Sequence, residues 1–94
     1  EFSREACQVR LAKLAVVAKL GDSSEPEKKL SLRFIEKIKA MNADMDIPSK
    51  VDELKDADIA LIARRALREG NPGYPVPKLM NQRDCENILM RLLP

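Results

Sequence analysis

Four carboxylates, Asp52, Glu53, Asp56 and Asp58, fall within seven residues. Clustered carboxylates can hold a hard divalent cation such as magnesium or calcium. They can also open a helix, where acids suit the positive end of its dipole. An apolar helical pattern begins directly after them, which favours the second role. Cys7 and Cys85 stand alone, each on an apolar helical face and without a C-x-x-C spacing. That placement reads as two buried free thiols suited to a reducing compartment. Arg64, Arg65 and Arg68 lie on one helical side with Leu61 between them. Such a group can bind phosphate or form a solvated face. With no glycine-rich loop and no interleaved aromatic nearby, the solvated face is the better reading.

The chain contains no histidine. An imidazole base and a nitrogen metal ligand are therefore missing, and with them nucleophilic triads and the common transition-metal sites. Neither G-x-G-x-x-G nor G-x-x-x-x-G-K occurs, so dinucleotide and triphosphate lack their usual cradles. No catalytic, cofactor-binding or metal-ligating residue is assigned from the sequence.

The elements that position these side chains read as helices. Of the 94 residues, 45% are hydrophobic and 34% charged, enough apolar material for a core and too much for a disordered chain. Phe2, Phe34 and Tyr74 are the only aromatics, so the core must be aliphatic, the mixture that helix packing uses. The net charge is +2, with acids and bases interspersed, which gives no strong field toward nucleic acid or an anionic membrane. No apolar run approaches the ~20 residues of a membrane span, and no leader pattern precedes the first helix. The expectation is a soluble, cytoplasmic protein with neither nucleic acid nor membrane as partner.

A first helix is predicted from about Ser3 to Leu20, with Ser3 as cap and Gly21 as stop. Cys7, Leu11, Leu14, Ala15 and Ala18 make one stripe, yet Val9, Val16, Val17 and Leu20 lie opposite. A helix apolar nearly all round wants neighbours on both sides, from outside the chain or from self-association. The second helix is predicted to start at Ser24 with a capping box in Ser24-Glu25-Pro26-Glu27. Leu30, Phe34, Ile38, Met41 and Met45 form its apolar face, and Asp46-Ile47-Pro48 stops it. Val51 and Leu54 anchor a short connection. A third helix follows from about Asp56 to Glu69, burying Ile59, Ile62, Ala63 and Ala66 and ended by Gly70. The stretch Gly70–Pro77 holds three prolines and two glycines, so it is a loop or arm rather than helix. A last helix runs from about Asn81, its cap, to Leu92, burying Cys85, Ile88, Leu89 and Leu92. The fold class is all-α, a small bundle of about four to five helices forming one domain over residues 1–94.

The order of these features carries a resemblance. A helix ends in Asp46-Ile47-Pro48, and Asp58-Ile59 opens a helix containing Leu61-Ile62-Ala63-Arg64-Arg65-Ala66-Leu67. Gly70-Asn71-Pro72 follows, then a helix with Asp84, Ile88 and Leu89. This order resembles the carboxy-terminal helical domain of the iron-containing, group III alcohol dehydrogenases, over nearly all of residues 3 to 93. Many relatives place arginine after the Asn-Pro pair, where this chain has Gly73 and then Tyr74-Pro75-Val76-Pro77-Lys78.

What the resemblance implies is a larger α/β plus all-α enzyme that oxidises an alcohol to an aldehyde or ketone. The parent enzyme would use NAD or NADP, with Fe(II) or Zn polarising the alcohol oxygen. Members of that family hold the metal with one aspartate and three histidines, so both the metal site and the nucleotide-binding domain would lie upstream of Glu1. The chain itself would be a shortened or proteolysed piece, structural rather than catalytic and inactive alone, with no cofactor of its own. Its partner would be the amino-terminal nucleotide-binding domain of the parent chain, and homo-oligomers are possible. The alternative from the residues alone is a small helical protein-interaction module. A weaker third reading is a helical lid of a nucleotide-hydrolysing machine, from Ala57-Asp58-Ile59-Ala60 ahead of Arg64-Arg65.

Overall fold

A computed structural model describes all 94 residues and contains helices and no strand. A 3-10 turn, Glu5–Cys7, leads into α1, Gln8–Val17. The second helix, α2, spans Glu27–Asp44. A second 3-10 turn, Asp56–Asp58, leads into α3, Ile59–Gly70, and α4 spans Gln82–Met90. The internal contacts divide the chain into two units, Glu1–Ile47 and Pro48–Pro94.

In the first unit α1 packs on α2. The buried cluster is small: Ala12, Ala15 and Leu30, with Val16, Leu20 and Phe34 partly buried against it. Alanines at the contact let two helix backbones approach closely, and this rotates α1 away from the face the sequence suggests. Ala12 and Ala15 are buried, whereas Leu14 and Ala18, expected in the core, are exposed. Cys7, also expected in the core, is half-buried, and its thiol donates to the Ser3 carbonyl at 3.1 Å. On α2, burial covers only the first turns. Leu30 is 2% exposed and Phe34 half-buried, but Ile38, Met41 and Met45 are exposed. The apolar period of α2 is present, but its apolar stripe beyond Phe34 stays uncovered, although Glu1 pairs with Lys39 on that half of the helix.

Both helix ends in this unit use the left-handed backbone at a residue other than glycine. Leu20 N–H donates to the Ala15 carbonyl at 2.9 Å and Lys19 N–H to Val16 at 3.0 Å, with Lys19 at φ 60°. The same pair of bonds closes α2, from Ile47 to Asn42 and from Asp46 to Ala43, with Asp46 at φ 55°. These are Schellman caps. The helix therefore stops at Val17, with Lys19 rather than Gly21 making the turn. A lysine in this conformation is strained by about 1 to 2 kcal/mol, part of which a glycine returns as unfolded-state entropy. Lys19→Gly is expected to raise stability by about 0.5 to 1 kcal/mol, read as a higher thermal midpoint by circular dichroism.

In the second unit α3 packs on α4. Ile59, Ala63 and Cys85 are buried, while Ile62 and Ala66, predicted to be core, are exposed because α3 has one packed neighbour within its unit. The segment before α3 is tied down at two points: Val51 N–H donates to the Leu92 carbonyl at 2.8 Å, and the Lys50 side-chain Nζ to that of Arg91 at 2.8 Å. Gly70 lies inside α3 without a left-handed φ. The stop is instead Asn71, extended at φ −107° and ψ 134°, as expected of a residue before proline. Asn81 caps α4 as predicted, and Asp84 answers it to complete a capping box. Asp84 N–H donates to Asn81 Oδ1 at 2.8 Å, and Asn81 N–H donates to Asp84 Oδ2 at 3.1 Å.

Candidate functional site

The loop joining α1 to α2 is held by one ion pair. Arg33, on the second turn of α2, reaches back to the Glu25 carboxylate with two bonds of 2.9 Å and donates to the Leu20 carbonyl at 2.8 Å. The same carboxylate accepts from Asp22 N–H at 2.9 Å. Two-point pairing of this kind fixes geometry as well as charge. The predicted capping box of Ser24 with Glu27 is absent: α2 begins at Glu27 itself, behind an extended Pro26 with no side-chain cap. Ser24 N–H donates to Asp22 Oδ1 at 2.8 Å, a local turn instead of a helix start. A Cβ added at Gly21 would lie 2.5 Å from Arg33 Nη1, Glu25 Oε2 and Leu30 Cδ2. Gly21 thus matters as space for the clamp.

This arrangement holds the Glu25 carboxyl down at about 2, chiefly through the Arg33 hydrogen bond and next through the Asp22 amide. Asp22 is also lowered, chiefly by the Ser24 backbone bond. A carboxyl whose pKa is lower folded than unfolded contributes stability that is complete above the unfolded value. The Glu25 contribution is therefore present above about pH 4.5 and lost as the pH falls toward about 2. Thermal midpoints measured across that window should fall more steeply for the parent chain than for Glu25→Gln, which has no carboxyl to titrate there.

The clamp shapes a groove of about 360 Å³ between α1 and the start of α2. Its floor is Ala12, Val16 and Leu30, its walls Val9 and Val17, and its mouth carries Lys13, Glu25 and Glu27. Val17 is 78% exposed. The volume falls within the range of small binding pockets, roughly 300 to 1,000 Å³. Glu25, ionised and paired, is a poor proton acceptor, so the groove offers apolar contact with a charged rim rather than acid–base chemistry. Farther along α2, the exposed Ile38, Met41 and Met45 continue as a second apolar strip.

The residues singled out from the sequence are not brought together. Asp56 and Asp58 lie in the 3-10 turn ahead of α3, in the favourable dipole position, but no carboxylate there makes a capping hydrogen bond. No group of three acidic or cysteine side chains converges in a way that could hold a metal ion. With no histidine in the chain, the residues present do not fit the iron or zinc of the resembled family, and no step through a metal is derived. Both cysteines are free thiols; burial first, then Glu86, pushes the Cys85 thiol pKa up, which makes it a weaker nucleophile. Arg64, Arg65 and Arg68 are exposed.

Sequence reasoning missed Ser31, which is fully buried on α2. Its hydroxyl donates to the Lys28 carbonyl at 2.9 Å and accepts from Arg4 at 3.4 Å. Its polar type amid charged neighbours gives no sign of burial. No helix is long and apolar enough to cross a membrane. Comparison with known proteins finds no matching family model, no matching curated protein and no matching solved structure.

Proposed function

We propose that this chain is the carboxy-terminal helical domain of a metal-dependent, nicotinamide-using alcohol dehydrogenase of the iron-containing class, and that its own task is structural. The observation that carries the reading is the mismatch between apolar period and burial. α1 and α2 are built to bury Val9, Val17, Ile38, Met41 and Met45, and each of these is exposed. An uncovered apolar strip of that extent marks a face made for another body. The resemblance supplies the body: the amino-terminal nucleotide-binding domain of the parent chain, with NAD or NADP and the Fe(II) or Zn site on that side. The turns that carry the resemblance also fall at element ends, with Asp46-Ile47-Pro48 after α2 and Asn71-Pro72 after α3. The test is the coding sequence upstream of Glu1. A glycine-rich nucleotide loop together with one aspartate and three histidines is expected. A reading frame with neither overturns the proposal.

The groove on α1 favours a second reading, a small helical protein-interaction module whose ligand is an apolar helix face of a separate polypeptide. A photo-crosslinker placed at Val17 separates the two. Within the protein encoded by the uninterrupted reading frame, a crosslink inside one chain supports the domain reading, and a crosslink to a different polypeptide supports the module.

A further inference from the structure

α3 has a second side, used neither by its packing on α4 nor by the proposed function. At its amino end stands Asp58, in its first turn Leu61, and in its second and third turns Arg64, Arg65 and Arg68. Leu61 is 44% exposed. Asp58 and the three arginines are exposed and form no side-chain hydrogen bond or ion pair. Residues three, four and seven apart share a helical face, so Asp58, Leu61, Arg65 and Arg68 lie along one side. Acids at the start and bases at the end suit the helix dipole wherever they lie around the axis. The dipole gives no reason for them to share a side with an exposed leucine, nor for arginines at adjacent turns with no acid between them.

We propose that this side of α3 pairs antiparallel with α3 of a second copy of the chain. The pattern is self-complementary under a two-fold axis through Leu61. Asp58 lies three residues before that axis and Arg65 four after it. At 1.5 Å per residue, the two-fold therefore places Asp58 of one copy beside Arg65 of the other, offset by only about 1.5 Å along the helix. The same operation repeats the pair on the opposite end and sets Leu61 against its equivalent, an isologous contact. A parallel arrangement would instead bring arginines against arginines. A single helix face buries less than about 1,200 Å², so the association is weak and reversible, with a dissociation constant in the micromolar range or above. The pairing stands on α3 alone and does not depend on the dehydrogenase reading.

The test is sedimentation equilibrium of the 94-residue chain at about 100 µM and low salt, where weak dimers of this kind are populated. A monomer–dimer equilibrium is expected. Arg65→Glu alone and Asp58→Arg alone should each weaken dimerisation by about fivefold or more, since each sets like charges together at both ends of the contact. An equimolar mixture of the two variants should restore dimerisation to within about twofold of the parent, because the mixed pair regains opposite charges at each end. Circular dichroism of each variant checks that its helices remain. A monomeric parent overturns the proposal, as does association that survives either reversal, which would place the contact elsewhere, for example on α1. A mixture no more associated than its components overturns it as well.

Discussion

Leu30→Ala is expected to unfold the first unit. Leu30 is 2% exposed and is the largest member of a buried cluster whose other two members are alanines. Removing it costs about 2 to 5 kcal/mol, part lost transfer and part the cavity left behind. A unit of 47 residues, at roughly 0.05 to 0.15 kcal/mol per residue, has only about 2 to 7 kcal/mol to lose. The loss is therefore comparable with the whole stability. Most of the helical circular dichroism of α1 and α2 should vanish under conditions where the parent chain is folded. Leu30→Met, which conserves volume, should cost under about 1.5 kcal/mol and keep the fold. A Leu30→Ala variant as stable as the parent would mean that α1 and α2 are not held together by this cluster.

Ala63→Asp is expected to do the same to the second unit. Ala63 is 0% exposed on the face of α3 that packs on α4. A carboxylate there must either lose its water without a cation to meet it or push the two helices apart. Stranding an unpaired charge costs about 3 kcal/mol or more. Ala63→Ser adds a hydroxyl that can bond back to the preceding turn of its own helix. It should lose far less, and urea midpoints of the two variants give the comparison. Equal midpoints would show that Ala63 is not enclosed.

The helical class and the four main helices were legible because aliphatic residues recur at three-and-four spacing and the stops are chemically marked. Asn81 read correctly as a cap because the amide it binds, that of Asp84, is local. Ser24 with Glu27 did not: Ser24 turns back on Asp22, and α2 starts only at Glu27, behind the extended Pro26. Lys19 ends α1 because two backbone bonds close the turn there, even though Gly21 is the conformationally cheaper residue. Periodicity located the apolar face of α2 but carried no information on how much of it would be covered. Ile38, Met41 and Met45 have the spacing of a core and the exposure of a surface. The same holds for Ile62 and Ala66 on α3. The groove on α1 was only partly legible: an apolar far side was expected, while its shape depends on the Glu25–Arg33 clamp and on the space at Gly21.

The structural role rests on the claim that these exposed strips are covered in the working protein. The most direct measurement is amide hydrogen exchange, comparing the isolated 94-residue chain with the same residues inside the protein encoded by the uninterrupted reading frame. Protection should rise at α1 and along the carboxy-terminal half of α2, from Ile38 to Asp44, where fraying helices gain a packed neighbour. Unchanged exchange along both strips would contradict the account.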